Sequence, residues 1–445
     1  MQACGRMLLA LLLMAQAAAR ETAPAPRSAE RMLVKAAHLI DGRADSPHDG
    51  FAVLIEGDRI QEVGPAAALA AKAAGARIID LGNAWLLPGL IDAHTHVLLQ
   101  GDVTAAEYEE QLLKESIPYR TLRAAAAART AVMNGFTTIR DLETEGAMYA
   151  DVDLKQAIAR RVIPGPRMFV ATRALTPTGM YPLLGYSWEL QMPKGVQIAD
   201  GVEGVRKAVR EQVEHGADWI KFYADRNYYK TNDPKRPLRS WVDFTKPEIE
   251  AIVEEAHRLG RKVAAHSMGW DGIDAALAAH VDSIEHGDGL TDDLIDRAVR
   301  QNVYWCPTLY VGIWVAQGRG GVWPDMIPIE RQAFAKALKR GVRIAYGTDV
   351  GGYAWTENQA KELSIMVRYG MAPMAAIKSA TSVAAALLDP LCPPQAAVCS
   401  PSNVGSIAAG KYADLIAVDA DPLQEISSLE HVFFVMKNGE VLKSR

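Results

Sequence analysis

Basic charge is in short supply in this chain. Its 48 Lys and Arg stand against 53 Asp and Glu, for a net charge of −5, or −6 if Arg6 leaves with a leader segment. A balance of that sign excludes an electrostatic nucleic-acid surface. No apolar run is long enough for a permanent bilayer span, since Met7 to Met14 ends at Ala15-Gln16-Ala17-Ala18-Ala19. With Arg6 before it and Ala-x-Ala behind it, that run reads as a signal peptide over residues 1–19, cleaved after Ala17 or Ala19. The mature protein is therefore expected in the periplasm or outside the cell. Cysteines number only four, and Cys4 falls in the leader. Cys392 and Cys399, with Pro393-Pro394 between them, are spaced to close a short loop by a disulfide, worth about 2 to 3 kcal/mol. Cys306, in VYWCPTL, reads as a packed core thiol. Internal repeats are lacking, and the Ala-rich stretch 124–128 is the one compositional bias.

What the chain does have is a series of short apolar segments that end in a metal-binding type of side chain. In PGLIDAHTH, Leu90 and Ile91 suit a buried strand, and strand alternation then puts His94 and His96 on one face. An HxH pair alone is a modest signal, because such histidines often only hydrogen-bond to neighbours. Four later segments change the odds: Lys221 in ADWIKFY, His266 in RKVAAHS, His286 in VDSIEHG and Asp349 in RIAYGTD. The other histidines, His38, His48, His215, His257, His280 and His431, sit in helical stretches or outside this series and read as structural.

This set, in this order, resembles the amidohydrolase superfamily of metal-dependent hydrolases. The wording of the motifs is most similar to the branch of Xaa-Pro dipeptidases, ochratoxinase-like carboxypeptidases and imidazolonepropionase relatives. The likeness runs from about Met32 to the C-terminus. It implies an α/β fold, a (β/α)8 TIM barrel with a small discontinuous β-sandwich built from both chain ends. Residues 28–87 would form the first part of the sandwich, 88–390 the barrel and 391–445 the second part. The short strands around Gly57-Asp58 and Asn438-Gly439 agree, both pairs marking hairpin turns. Eight candidate barrel strands are Leu90 to His96, Phe136 to Arg140, Arg167 to Ala171, Trp219 to Tyr223, Lys262 to His266, Ser283 to His286, Val303 to Cys306 and Arg343 to Thr348. The proposed ligands fall at their carboxyl ends, where barrel enzymes gather their active sites.

By the family pattern, His94, His96 and Asp349 hold one divalent ion, most simply Zn²⁺, and His266 with His286 hold a second. Two such ions would acidify a water into a hydroxide nucleophile and polarise an amide carbonyl. Lys221 would bridge them, but only after carbamylation by CO₂ turns its ammonium into an anionic oxygen ligand. Its plain alternative is an amine that reaches the barrel rim or pairs with Asp225. Asp349 would also take the proton from the attacking water and return it to the leaving amine. Where relatives read His-Ala-His-Gly, this chain has His266-Ser267-Met268-Gly269, so the first histidine is kept and the second is not.

The segment after Lys221 offers phenols and cations. Relatives bind a substrate carboxylate near it, so Tyr223, Arg226, Tyr228 and Tyr229 are the candidate substrate contacts, against the alternative of a solvated loop. Tyr181, Tyr186, Trp188, Trp314, Trp323, Tyr353 and Trp355, in apparent loops, suggest a substrate with an apolar side. The expected activity is hydrolysis of the amide of a small substrate with a free carboxylate: an N-acyl amino acid, an ochratoxin-like amide or a dipeptide. The alternatives are a cyclic-amide hydrolase of imidazolonepropionase type and a metal-free, non-enzymatic barrel. The resemblance also implies a homo-oligomer.

Overall fold

The computed structural model describes residues 30–183, 185–391 and 403–445. The expected signal peptide and the Cys392/Cys399 pair lie outside the described residues. Eight short parallel strands alternate with helices: β1 (Leu90–Thr95), β2 (Phe136–Asp141), β3 (Arg167–Val170), β4 (Trp219–Tyr223), β5 (Lys262–Ser267), β6 (Ser283–His286), β7 (Tyr304–Cys306) and β8 (Arg343–Ile344). They are buried along most of their length, as parallel strands covered on both faces are.

The ladders form two arcs, β3-β2-β1 and β4-β5-β6-β7-β8, the second extended at β4 by Leu175–Thr176 and Gln197–Ile198. Irregular hydrogen bonds link the arcs at both seams. Asp218 N donates to Val170 O (2.8 Å) between β3 and β4, and Ala93 N donates to Tyr346 O (2.9 Å) between β1 and the chain after β8. The eighth strand is shorter than the expected Arg343 to Thr348. Past Ile344 the ladder becomes irregular: Ala345 N still donates to Trp305 O of β7 (2.9 Å) and Asp349 N to His94 O of β1 (2.7 Å), but Tyr346 N donates to Ser379 O, and Thr348 N to the carboxylate of Asp92 (3.0 Å).

The connecting helices are cut by local signals. Thr245 and Glu248 form a capping box, with Pro247 in the first turn, at the start of Lys246–Arg258; Gly260 then takes φ 71° just beyond its end. Strands from both chain ends share sheets. Leu415–Val418 pairs antiparallel with Trp85–Pro88 in a six-stranded mixed sheet, which also holds the hairpin turning at Asn438-Gly439. A four-stranded sheet, with the hairpin at Gly57-Asp58, shares a core with it through Met32, Val34, Val53, Leu86, Leu415 and Phe434.

Candidate metal centre

Five of the six sequence-predicted ligands lie at or just past the carboxyl ends of the parallel strands, and Lys221 stands mid-strand, lining a cavity with His96, His266, His286 and Asp349. His94 lies in β1 and His96 one residue beyond it, with ring centroids 5.3 Å apart. Lys221 is the middle residue of β4, His266 lies in β5, and His286 ends β6. The ring of His286 is 5.0 Å from that of His94 and 4.5 Å from that of His266. Asp349 follows the short β8, and its Oδ1 approaches Nε2 of His96 at 3.0 Å and of His94 at 3.5 Å. One donor atom each from His94, His96 and Asp349 lies within 4.8 Å of the others.

Close backbone approach makes this possible. A Cβ on Gly347 would sit 2.9 Å from His94 Cβ, and one on Gly351, where φ is 110°, would sit 2.2 Å from the His96 carbonyl oxygen. Asp349 (φ 59°) and His286 (φ 71°) themselves occupy the left-handed region, which larger residues visit only when the surroundings compel it.

The donor set fits divalent cations. Nδ1 of His94 contacts Glu285 Oε2 at 2.8 Å, which leaves its Nε2 buried with no hydrogen-bond partner and turned toward Asp349. A buried ring nitrogen kept as a bare acceptor is what a cation requires. Burial draws His94 down to about 4 and His286 to about 3, and it lowers His266 well below the usual range. Three imidazoles are thus neutral, as ligands must be. His96 differs. Burial pulls it down too, but the hydrogen bond and charge of Asp349 prevail and hold it at about 9, as in an ion pair. Burial lowers Lys221 against the pull of Glu285, Glu143 and Asp349. Its alternative partner Asp225 is engaged elsewhere, accepting from Met268 N (3.0 Å) and Gly269 N (2.9 Å).

Over the centre lies a cavity of about 160 Å³, lined by His96, Lys221, Arg226, Tyr228, His266 and Asp349 among others. Tyr228 OH is 2.6 Å from His266 Nε2, Tyr223 OH donates to Glu143 (2.6 Å), and the Arg226 guanidinium stacks on Tyr181 at 3.8 Å. Tyr229 is not brought to the cavity. The segment is a β-hairpin, Asp225–Lys230 with Leu238–Val242, rather than a solvated loop; alternation turns Tyr228 inward and leaves Tyr229 outside against Trp241. Tyr181 and Trp323 line the cavity. Trp188 is 91% exposed, Tyr186 binds Glu109 at the surface, and Tyr353 and Trp355 are core residues, so those four do not serve as a pocket wall.

Several supporting residues escaped the sequence reading. Glu285 is held by Arg140 (2.8 Å) and supports His94, while Arg140 also donates to Ser283 Oγ (3.1 Å). Asp92 accepts from Thr348 Oγ1 and Gln359 Nε2, both at 2.6 Å, and so ties β1 to the segment carrying Asp349. Thr308 Oγ1 is 2.9 Å from His286 Nδ1. The one signal available was a charged residue inside an otherwise apolar strand, as in SIEH and TTIRD. Cys306 is a buried free thiol, as expected, and burial pushes its pKa well up. Structural partners also account for His257, on Asp282 at 2.8 Å, and His215, stacked on Tyr149.

Comparison with known proteins places this arrangement in context. The profile of the amidohydrolase family matches residues 85–443. Ochratoxinase of Aspergillus niger is 31% identical over 389 residues, covering 80% of this chain and 75% of the relative. Imidazolonepropionase of Deinococcus radiodurans is 24% identical over 396 residues, 84% of this chain and 87% of the relative. The crystal structure of a Xaa-Pro dipeptidase with methionine in its active site superposes with a TM-score of 0.78 at 30% identity, covering 93% of this chain and all of that one.

Proposed function

Because this chain belongs to the amidohydrolase family and is a hydrolase of amide bonds, we propose that it cleaves the amide of a small substrate bearing a free carboxylate, with divalent cations held by His94, His96, Lys221, His266, His286 and Asp349. The fold similarity implies a TIM barrel with an extra domain, and the two strand arcs are read here as one (β/α)8 ring with the shared sheets of both chain ends as its β-sandwich. The observation that carries the proposal is the buried, unpartnered Nε2 of His94 beside His96 and Asp349.

When bound, the cations supply an acidified water and a polarised carbonyl. The residues do the rest. Glu285 orients His94 and fixes its tautomer. Lys221, whose burial favours the neutral amine, has the nucleophile that CO₂ needs; carbamate formation joins the amine nitrogen to the carbon of CO₂ and releases one proton. Asp349, an anion among histidines, is placed to accept a proton from water and pass it to the departing nitrogen. Arg226, at the cavity wall, presents its guanidinium to a carboxylate.

No described helix is long and apolar enough to cross a membrane. Residues 1–19 support export of the enzyme, and the family likeness supports a homo-oligomer. The test is turnover of N-acyl-phenylalanine and prolyl dipeptides against cyclic imides. Cleavage of the first group supports the proposal, and turnover of the cyclic imides alone replaces it with the imidazolonepropionase-type reading.

A further inference from the structure

Two carboxylates beside the candidate metal centre have no part in the proposed chemistry. Glu143 and Glu145 follow β2, and one oxygen of each lies within 4.8 Å of the other and of a His96 ring nitrogen. Glu143 is fully buried, and Glu145 lines the cavity. Tyrosine hydroxyls claim one oxygen of each: Tyr223 donates to Glu143 Oε2 (2.6 Å), while Tyr108 (2.9 Å) and Tyr181 (3.0 Å) donate to Glu145 Oε2. Glu143 Oε1 is buried without any hydrogen-bond partner, and among the described residues neither carboxylate forms a salt bridge.

An acceptor buried in that way is costly until a donor fills the gap. What suits two converging carboxylate oxygens is a compact cation with several N–H groups, and a primary ammonium has three. A further metal ion fits less well. The tyrosines hold one oxygen of each acid, and His96 faces Asp349 with Nε2 and the Glu143 carbonyl with Nδ1. Two single oxygens are too few for a hard divalent cation.

We propose that Glu143 and Glu145 bind the free amino group of the substrate, which makes the substrates unblocked dipeptides rather than N-acyl amino acids. This deepens, and rests on, the amide-hydrolase reading above. Tyr181 couples the two charged contacts, because its hydroxyl holds Glu145 and its ring carries the Arg226 guanidinium. A zwitterion bearing both an ammonium and a carboxylate matches that pairing.

The experiment compares alanyl-phenylalanine with N-acetyl-alanyl-phenylalanine on the metal-loaded enzyme, and measures calorimetric binding of alaninamide against N-acetylalaninamide. The free dipeptide should have a kcat/KM at least tenfold higher. Glu143→Gln and Glu145→Gln, whose amides still accept from the tyrosines, should each cut that preference roughly tenfold or more, the scale of a charged hydrogen bond. Equal kcat/KM for the two peptides overturns the proposal. So does an equal loss on both in the variants, which would mark the acids as positioning Arg226. If neither peptide is cleaved, calorimetry alone judges the subsite. Alaninamide binding that is lost in Glu143→Gln supports it, and equal affinity for the two amides overturns it.

Discussion

Glu285 stands 2.8 Å from Nδ1 of His94, and its second oxygen is held 2.8 Å from Arg140. A carboxylate so placed keeps the proton on Nδ1 and the lone pair on Nε2, toward the cage. Glu285→Gln keeps the shape but removes the charge. It should weaken metal binding by about 10- to 100-fold, read by competition with a chromophoric chelator. Unchanged affinity would show that the pair is only structural.

Removal of metal should abolish turnover, and Zn²⁺, Mn²⁺ or Co²⁺ should restore it. Full activity in protein shown by elemental analysis to be metal-free would sink the proposed chemistry.

Asp349→Asn should keep part of the metal, because the histidine ligands remain, yet lose on the order of 100-fold or more in kcat if Asp349 is the proton carrier. Measuring kcat together with metal content separates the two roles; a wild-type kcat would remove Asp349 from the proton path.

Lys221→Arg cannot take up CO₂, and a guanidinium there repels cations. The expected outcome is loss of bound metal together with loss of a CO₂-sized increment from the native mass of the wild type. A wild-type mass with no such increment, at full metal content, would leave Lys221 unmodified.

Glu255 joins helix Gly201–Glu214 to helix Lys246–Arg258, accepting from Arg258 of its own helix and from Arg210 (2.7 Å) and Arg206 (3.3 Å) of the other. The hydrogen bonds from Arg258 and then Arg210 hold its carboxyl down to about 2. A depressed carboxyl contributes stability that is present above its unfolded pKa of roughly 4.3 and is lost as the pH falls toward 2. Glu255→Gln should therefore cost about 1 to 2 kcal/mol near neutrality, and the gap to wild type should narrow in denaturation curves taken below pH 4. A gap independent of pH would assign the loss to packing instead.

The strands were legible because each is an apolar run closed by turn residues, and the metal-binding side chains were legible because they end such runs. Period-two alternation puts His94 and His96 on one face from local geometry alone. Alternation equally decided between Tyr228 and Tyr229, but only once the hairpin was known, and nothing local announces that Asp225–Lys230 pairs with Leu238–Val242. The eighth strand ends at Ile344, short of the expected Thr348, for a similar reason. Tyr346 N bonds to Ser379 and Thr348 N to Asp92, interrupting the ladder, and no window of sequence reveals that those partners are near.

By itself, the order of residues determined which side chains are able to bind a cation and where along each strand they stand, because strand period and turn chemistry act over a few positions. Chain closure alone decided who supports them. Glu285 meets His94 across 191 residues, and Asp92 meets Thr348 across 256. Contacts that orient a ligand, leave Glu143 with a free oxygen or lay Arg226 on Tyr181 are short-range in space and unconstrained in sequence, so only packing could select them.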